Sequence, residues 1–152
     1  MKLAESLILR ADAQKRIEQL KTRLVANAKI QEGDTAAENP QELLAELEGA
    51  FMTLADLIKR INKTNSATEF ATGKTLSDAL AERDVLMAKR KAYANLADAA
   101  SITQTAYSRS EIKFVRTVDV VGLQTQVDEL SKTYRELDSR IQAMNWATEL
   151  ID

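Results

Sequence analysis

NPQELLAELEGAFMTLADLIKRINKTN, residues 39–65, carries the clearest structural signal in the chain. Asn39 suits a helix N-cap, Pro40 the first helical turn, and Glu42 the reciprocal position of a capping box, so a helix is expected to begin here. Leu44, Leu47, Phe51, Leu54, Ile58, Ile61 and Asn65 then alternate in steps of three and four, with Leu43 and Leu57 widening the stripe. Such a spacing keeps an apolar seam aimed at a neighbouring helix for roughly six turns. At Asn62-Lys63-Thr64-Asn65-Ser66 the residues turn against helix, and Ala67–Lys74 reads as a short extended piece followed by a turn.

The same periodicity governs the flanks. Before the linker, Leu3, Leu7, Ile17, Leu20, Leu24 and Ala28 mark a first helix expected to run to about Gln31 and to stop at Gly33. A third helix is expected from about Thr75, its face built from Leu76, Leu80, Leu86, Met87, Tyr93, Ala94, Ala97 and Ala100 and interrupted by Arg83 and Arg90. Past Tyr107 the period changes: Ile112, Phe114 and Val118 alternate with polar residues, which favours an extended strand over Glu111–Val118. Asp119 is a plausible N-cap for the last helix, whose heptad of Leu123, Val127, Leu130, Tyr134, Leu137, Ile141 and Met144 is the cleanest in the chain. These elements predict an all-α fold: an antiparallel four-helix bundle of long helices, with a short extended segment before the last, forming a single domain over residues 1–152. The predicted core includes Leu47, Phe51, Leu54, Ile58, Leu130, Tyr134, Leu137 and Ile141.

Composition narrows the function by exclusion. The 152 residues are 45% hydrophobic, with one proline and four glycines, the makeup of a helical domain with a real core. With 21 basic and 23 acidic residues the net charge is -2, so the chain offers no electrostatic footprint for nucleic acid or anionic lipid. No run approaches the roughly 20 apolar residues of a membrane helix, and Met1–Glu5 turns polar too early for a signal peptide, which makes the cytoplasm the expected compartment. Absence of both cysteine and histidine removes thiolate nucleophiles, disulfides, imidazole bases and ordinary zinc sites together. No catalytic constellation, metal site or cofactor is expected.

Several residues stand out against this background. Asn62 and Asn65 lie one turn apart and close their helix. Up-down packing would bring Asn145 and Trp146 to the same pole, giving two amides beside an indole as a ligand pocket. The plainer alternative makes the asparagines capping residues and Trp146 a core plug. Arg10, Arg83 and Arg90 interrupt apolar stripes and are candidate anion ligands or internal ion-pair partners, or they snorkel to water. Tyr107, Arg109, Lys113 and Arg116 form a basic segment suited to phosphate contact, or to the charge that keeps an edge strand from aggregating. Carboxylates recur at helical spacing, Glu42 with Glu46, Asp78 with Glu82, and Glu129 with Glu136 further along. Magnesium needs only such oxygen ligands, but each group lies among Lys and Arg, as on a solvated helix face.

At Leu9-Arg10-Ala11-Asp12, Arg60–Asn65, Tyr107–Lys113 and Ile141–Trp146 the chain resembles a family of uncharacterised small bacterial proteins, some labelled septicolysin. The resemblance covers essentially the whole length and implies a bacterial all-helical protein; none of its motifs implies a chemical role. The label suggests a thiol-activated pore former, a chemistry for which a chain without cysteine has no thiol.

The sequence therefore points first to a non-enzymatic oligomeric helical protein, an interaction or regulatory module built on coiled-coil-like seams. A homo-oligomer, most simply a dimer, would complete the lone strand, with Ile112, Phe114, Val115 and Arg116 at the interface. The alternative is a helical bundle that binds a small molecule or nucleotide, including a magnesium-dependent hydrolase. Nucleic-acid binding is the weakest reading on charge.

Overall fold

The computed structural model describes residues 1–101 and 113–152. Among them are four long helices and one short hairpin: α1 (Leu3–Ala26), α2 (Pro40–Ala67), β1 (Glu69–Ala71), β2 (Lys74–Thr75), α3 (Leu76–Ala100) and α4 (Val120–Ala147). The all-α expectation holds. The chain divides into two compact units, one comprising Met1–Leu76 with Gln142–Asp152, the other Ser77–Ile141.

In the first unit, α1 and α2 pack antiparallel. Arg16 Nη2 meets Glu46 Oε2 at 2.5 Å, and Arg23, one heptad further along α1, pairs with Glu38 just before α2. α1 buries Leu3, Ser6, Ile17 and Leu20, while Leu7, Arg10, Ala13 and Leu24 fill the same seam half-buried. It ends at Ala26, earlier than expected, because Asn27 closes it: Asn27 Nδ2 donates to the Arg23 carbonyl at 2.9 Å. The same side chain accepts the Glu38 backbone N–H at 3.0 Å, so the stop signal also fastens the start of the next helix. Gly33 does take the left-handed conformation, at φ 90°, but within the linker.

α2 starts where the sequence says, with Asn39 Oδ1 accepting from Gln41 N at 3.0 Å and Pro40 in the first turn. Its buried seam is rotated by one residue from the expected one. Leu43, Leu57, Ile61 and Thr64 are buried, with Leu47, Ala50 and Leu54 half-buried between them. Leu44, Phe51 and Ile58 are exposed, which corrects the assignment of Phe51 and Ile58 to the core. Both stripes satisfy the three-four rhythm and share Leu47, Leu54 and Ile61, so periodicity alone could not separate them.

α2 also runs on through Asn62–Ser66, where the residue types predicted a break. Packing overrides propensity here: Ile61 and Thr64 are buried, and the Thr64 and Thr68 hydroxyls donate back to the carbonyls of Arg60 and Thr64 at 2.8 and 2.7 Å. The extended piece that follows is real. β1 pairs antiparallel with β2 across a turn in which Gly73 takes φ 72°, and Leu76 N donates to the Thr68 carbonyl at 2.9 Å.

In the second unit, Arg83 of α3 reaches Asp138 of α4 and Arg90 reaches Ser131, so seven residues forward on one helix are seven back on the other. That register makes the pair antiparallel. The α4 heptad is borne out along its length: Leu123, Val127, Leu130, Tyr134 and Leu137 are half-buried and Ile141 is fully buried. α3 offers Ala79 and Ala97 buried, with Leu86, Tyr93 and Ala100 half-buried. Asp119 caps α4 as expected, its Oδ1 accepting from Gly122 N at 3.0 Å.

Of the strand expected over Glu111–Val118, the described residues 113–118 form no strand. Lys113–Thr117 have no regular structure and are all exposed, and Glu111 and Ile112 lie outside the described residues. A strand needs a ladder partner, and the other extended piece, Glu69–Ala71, is already paired in its own hairpin.

Candidate functional site

The polar residues of the first unit converge where α2 ends. Thr64 is fully buried, and its Oγ1 accepts the backbone N–H of Ile151 at 3.0 Å. Arg60 Nε donates to the Ile151 carbonyl at 3.3 Å and Arg60 Nη2 to Asp152 Oδ1 at 2.6 Å, while Lys63 Nζ donates to the Asp152 backbone oxygen at 2.5 Å. Three residues within about one helical turn thus hold the segment that follows α4.

The chain's two ends meet beside this clasp. Leu3 N donates to the Thr148 carbonyl at 2.9 Å and Leu150 N to the Met1 carbonyl at 2.8 Å, around an antiparallel bridge between Lys2 and Glu149. Lys2 Nζ and the Met1 amine flank the Glu149 carboxylate at 2.6 and 3.2 Å. The Lys2 hydrogen bond first, then that of the terminal amine, hold the Glu149 carboxyl below the ordinary carboxylate range.

All four residues expected at one pole belong to this unit, but in different environments. Asn145 is buried, Asn65 half-buried and Asn62 exposed; Trp146 is 55% exposed, which corrects its reading as a core plug. Because α2 continues to Ala67, Asn62 and Asn65 are interior helix residues and do not cap it. The residues doing the tying are Arg60, Lys63 and Thr64, which sequence reading passed over. Their partners carry no motif: Ile151 contributes backbone groups, and Asp152 a carboxylate far away in sequence.

Among the interrupting arginines, Arg83 and Arg90 are internal partners. Arg83 Nη1 donates to Asp138 Oδ1 at 3.0 Å and Arg83 Nη2 to Asp84 Oδ1 at 3.3 Å. Burial works to lower the Arg83 pKa, and the hydrogen bonds to Asp138 and Asp84 more than offset it, so the guanidinium holds its proton more tightly than free arginine. Arg90 Nε donates to Ser131 Oγ at 2.5 Å, and that hydroxyl donates to the Val127 carbonyl at 2.8 Å. Arg10 is half-buried on the α1 seam.

Two grooves flank the α3–α4 pair. One, of about 370 Å³, lies between the end of α3 at Leu96, Ala99 and Ala100 and the segment Phe114–Val118. The other, of about 410 Å³, is lined by Lys89, Tyr93, Gln126, Glu129, Leu130 and Thr133, with Lys89 Nζ 5.5 Å from the Tyr93 ring centre. Glu42, Glu46, Glu82, Glu129 and Glu136 are exposed; Glu46 and Glu136 face Arg16 and Lys132. Among the described residues no group of three or more Asp and Glu side chains could hold a metal ion. No described helix is long and apolar enough to cross a membrane. Tyr107 and Arg109 lie outside the described residues, whereas Lys113 and Arg116 are exposed.

Residues 10–150 match a family described as a Family of unknown function (DUF6847). The chain belongs to this family. A crystal structure of a functionally unknown conserved protein from Corynebacterium diphtheriae is 50% identical and superimposes with a TM-score of 0.93, over 99% of each chain. At that identity and coverage this family member shares its fold with the corynebacterial protein. No curated protein matches.

Proposed function

We propose that the protein is a non-enzymatic interaction module of the bacterial cytoplasm that works as a homo-oligomer. The observation that carries this reading is the apolar surface left in water. Phe114 and Val115 are 85% and 80% exposed, and α2 presents Leu44, Phe51 and Ile58 along one side. Large apolar groups clustered on a surface are a cost in isolation and a source of affinity when covered. Ile112, Phe114, Val115 and Arg116 are contact candidates at the first surface, where backbone groups of residues 113–117 are free of strand pairing within the chain. The polar clusters support the same reading, since among the described residues Arg60, Arg83 and Arg90 all donate to internal partners.

Sedimentation across a wide concentration range, paired with a thermal-shift screen of nucleotides, magnesium and metabolites, tests the proposal. A constitutive oligomer with no ligand response is expected. A monomer stabilised by a nucleotide or metabolite would move the function to ligand binding, with Trp146 fluorescence reporting a site near Asn62, Asn65 and Asn145, and Arg10 and Arg83 as further ligand candidates.

A further inference from the structure

Resting on the reading of the chain as a self-associating module, we infer that the exposed face of α2 is covered by the same face of a second copy running antiparallel to it. Leu44, Phe51 and Ile58 are separated by seven residues each and lie beside, not on, the seam that packs against α1. At 1.5 Å per residue the stripe is about 21 Å long. A strict seven-residue repeat keeps such a stripe facing one neighbouring helix, so its natural occupant is another helix. Met52, exposed, and the small residues Ala45 and Ala55 lie on the flank turned away from α1 and allow close approach.

Charge selects both the occupant and its direction. Glu48 and Lys59 lie on that same flank, both exposed, and neither forms an ion pair among the described residues. Nearby charges are already engaged, Glu46 with Arg16 and Asp56 with Arg60. A parallel copy would set Glu48 beside Glu48 and Lys59 beside Lys59. A twofold axis perpendicular to the helices brings like flanks together in opposite directions, so each Glu48 meets Lys59 of the second copy. The axis then passes between Thr53 and Leu54, and Met52 lies level with Ala55 of the second copy, a large side chain opposite a small one. One helix supplies both halves of the complementarity, which a helix from an unrelated protein would have to match by coincidence.

The absence of cysteine from the chain makes a background-free test available. Ala55→Cys should be captured as a covalent dimer by a short bis-maleimide, whereas Thr53→Cys, on the opposite side of α2, should not. Glu48→Lys and Lys59→Glu should each raise the dimer dissociation constant on the order of tenfold in sedimentation equilibrium, and the double reversal should restore it. Circular dichroism identifies any variant that fails to fold. A dimeric wild type whose association ignores both reversals, with no Ala55→Cys capture, overturns the α2 interface and leaves self-association standing. A wild type that remains monomeric at high concentration overturns both, and Ala55→Cys capture of a different protein only overturns the α2 interface.

Discussion

Thr64 and Ile151 are joined through one buried hydroxyl: Thr64 Oγ1 donates to the Arg60 carbonyl at 2.8 Å and accepts the Ile151 N–H at 3.0 Å. Thr64→Val keeps the shape and removes both bonds, orphaning a backbone donor. The expected loss is about 1 to 3 kcal/mol in urea unfolding, and Thr64→Ser should recover most of the bonding part of it. A valine variant as stable as wild type would show that the clasp is not needed to hold the chain's end.

The rotated seam of α2 makes a paired forecast. Leu57 is 5% exposed, so Leu57→Ala should cost about 2 to 5 kcal/mol. Ile58, its neighbour on the exposed stripe, should cost less than about 1 kcal/mol as alanine when unfolding is followed at a concentration too low for association. The reverse order would return the seam to the register expected from sequence.

Acid should loosen the clasp between the chain's ends. The Glu149 carboxyl is held below its ordinary pKa by Lys2 and the terminal amine, and Glu38 is held low by its hydrogen bond to Arg23. A depressed folded-state pKa contributes stability that is present above the unfolded glutamate value, about 4.3, and is lost as pH falls through the folded value. Melting temperature should therefore fall on that acid limb, and Glu149→Gln should flatten the fall while lowering stability at neutral pH. An unchanged pH profile in this variant would mean that the pair contributes nothing in solution.

Asp119 and Gly122 compete for one place at the start of α4. A Cβ on Gly122 would come 2.5 Å from Asp119 Oδ2, the carboxylate that caps the helix. Gly122→Ala alone should be nearly neutral, its helix-propensity gain of about 1 kcal/mol offset by displacing a cap of similar value. With Asp119 already replaced by alanine, Gly122→Ala should stabilise by that same amount. Additive effects in the double-mutant cycle would exclude the competition.

Much of the fold was legible because it rests on local rules. The start of α2 at Asn39-Pro40, the Asp119 cap and the full α4 heptad follow from side chains acting on backbone within a few residues. So does the extended piece after α2, whose Gly73 turn needs a left-handed residue. Composition alone removed thiol and imidazole chemistry and left a surface of mixed charge.

Tertiary structure decided what local rules leave degenerate. Two overlapping stripes on α2 obey the same periodicity, and only packing against α1 buried Leu43, Leu57 and Thr64 while leaving Leu44, Phe51 and Ile58 in water. The Asn62–Ser66 run became helix because Ile61 and Thr64 gained burial that outweighs weak propensity. Arg60, Lys63 and Thr64 became a clasp because the residues after α4 came to rest on them, a contact across about ninety positions of sequence that no local pattern encodes. Residues 113–118 before α4 show no strand for the complementary reason: alternation gives a segment the character of a strand, but only a neighbour in space supplies the ladder that makes it one.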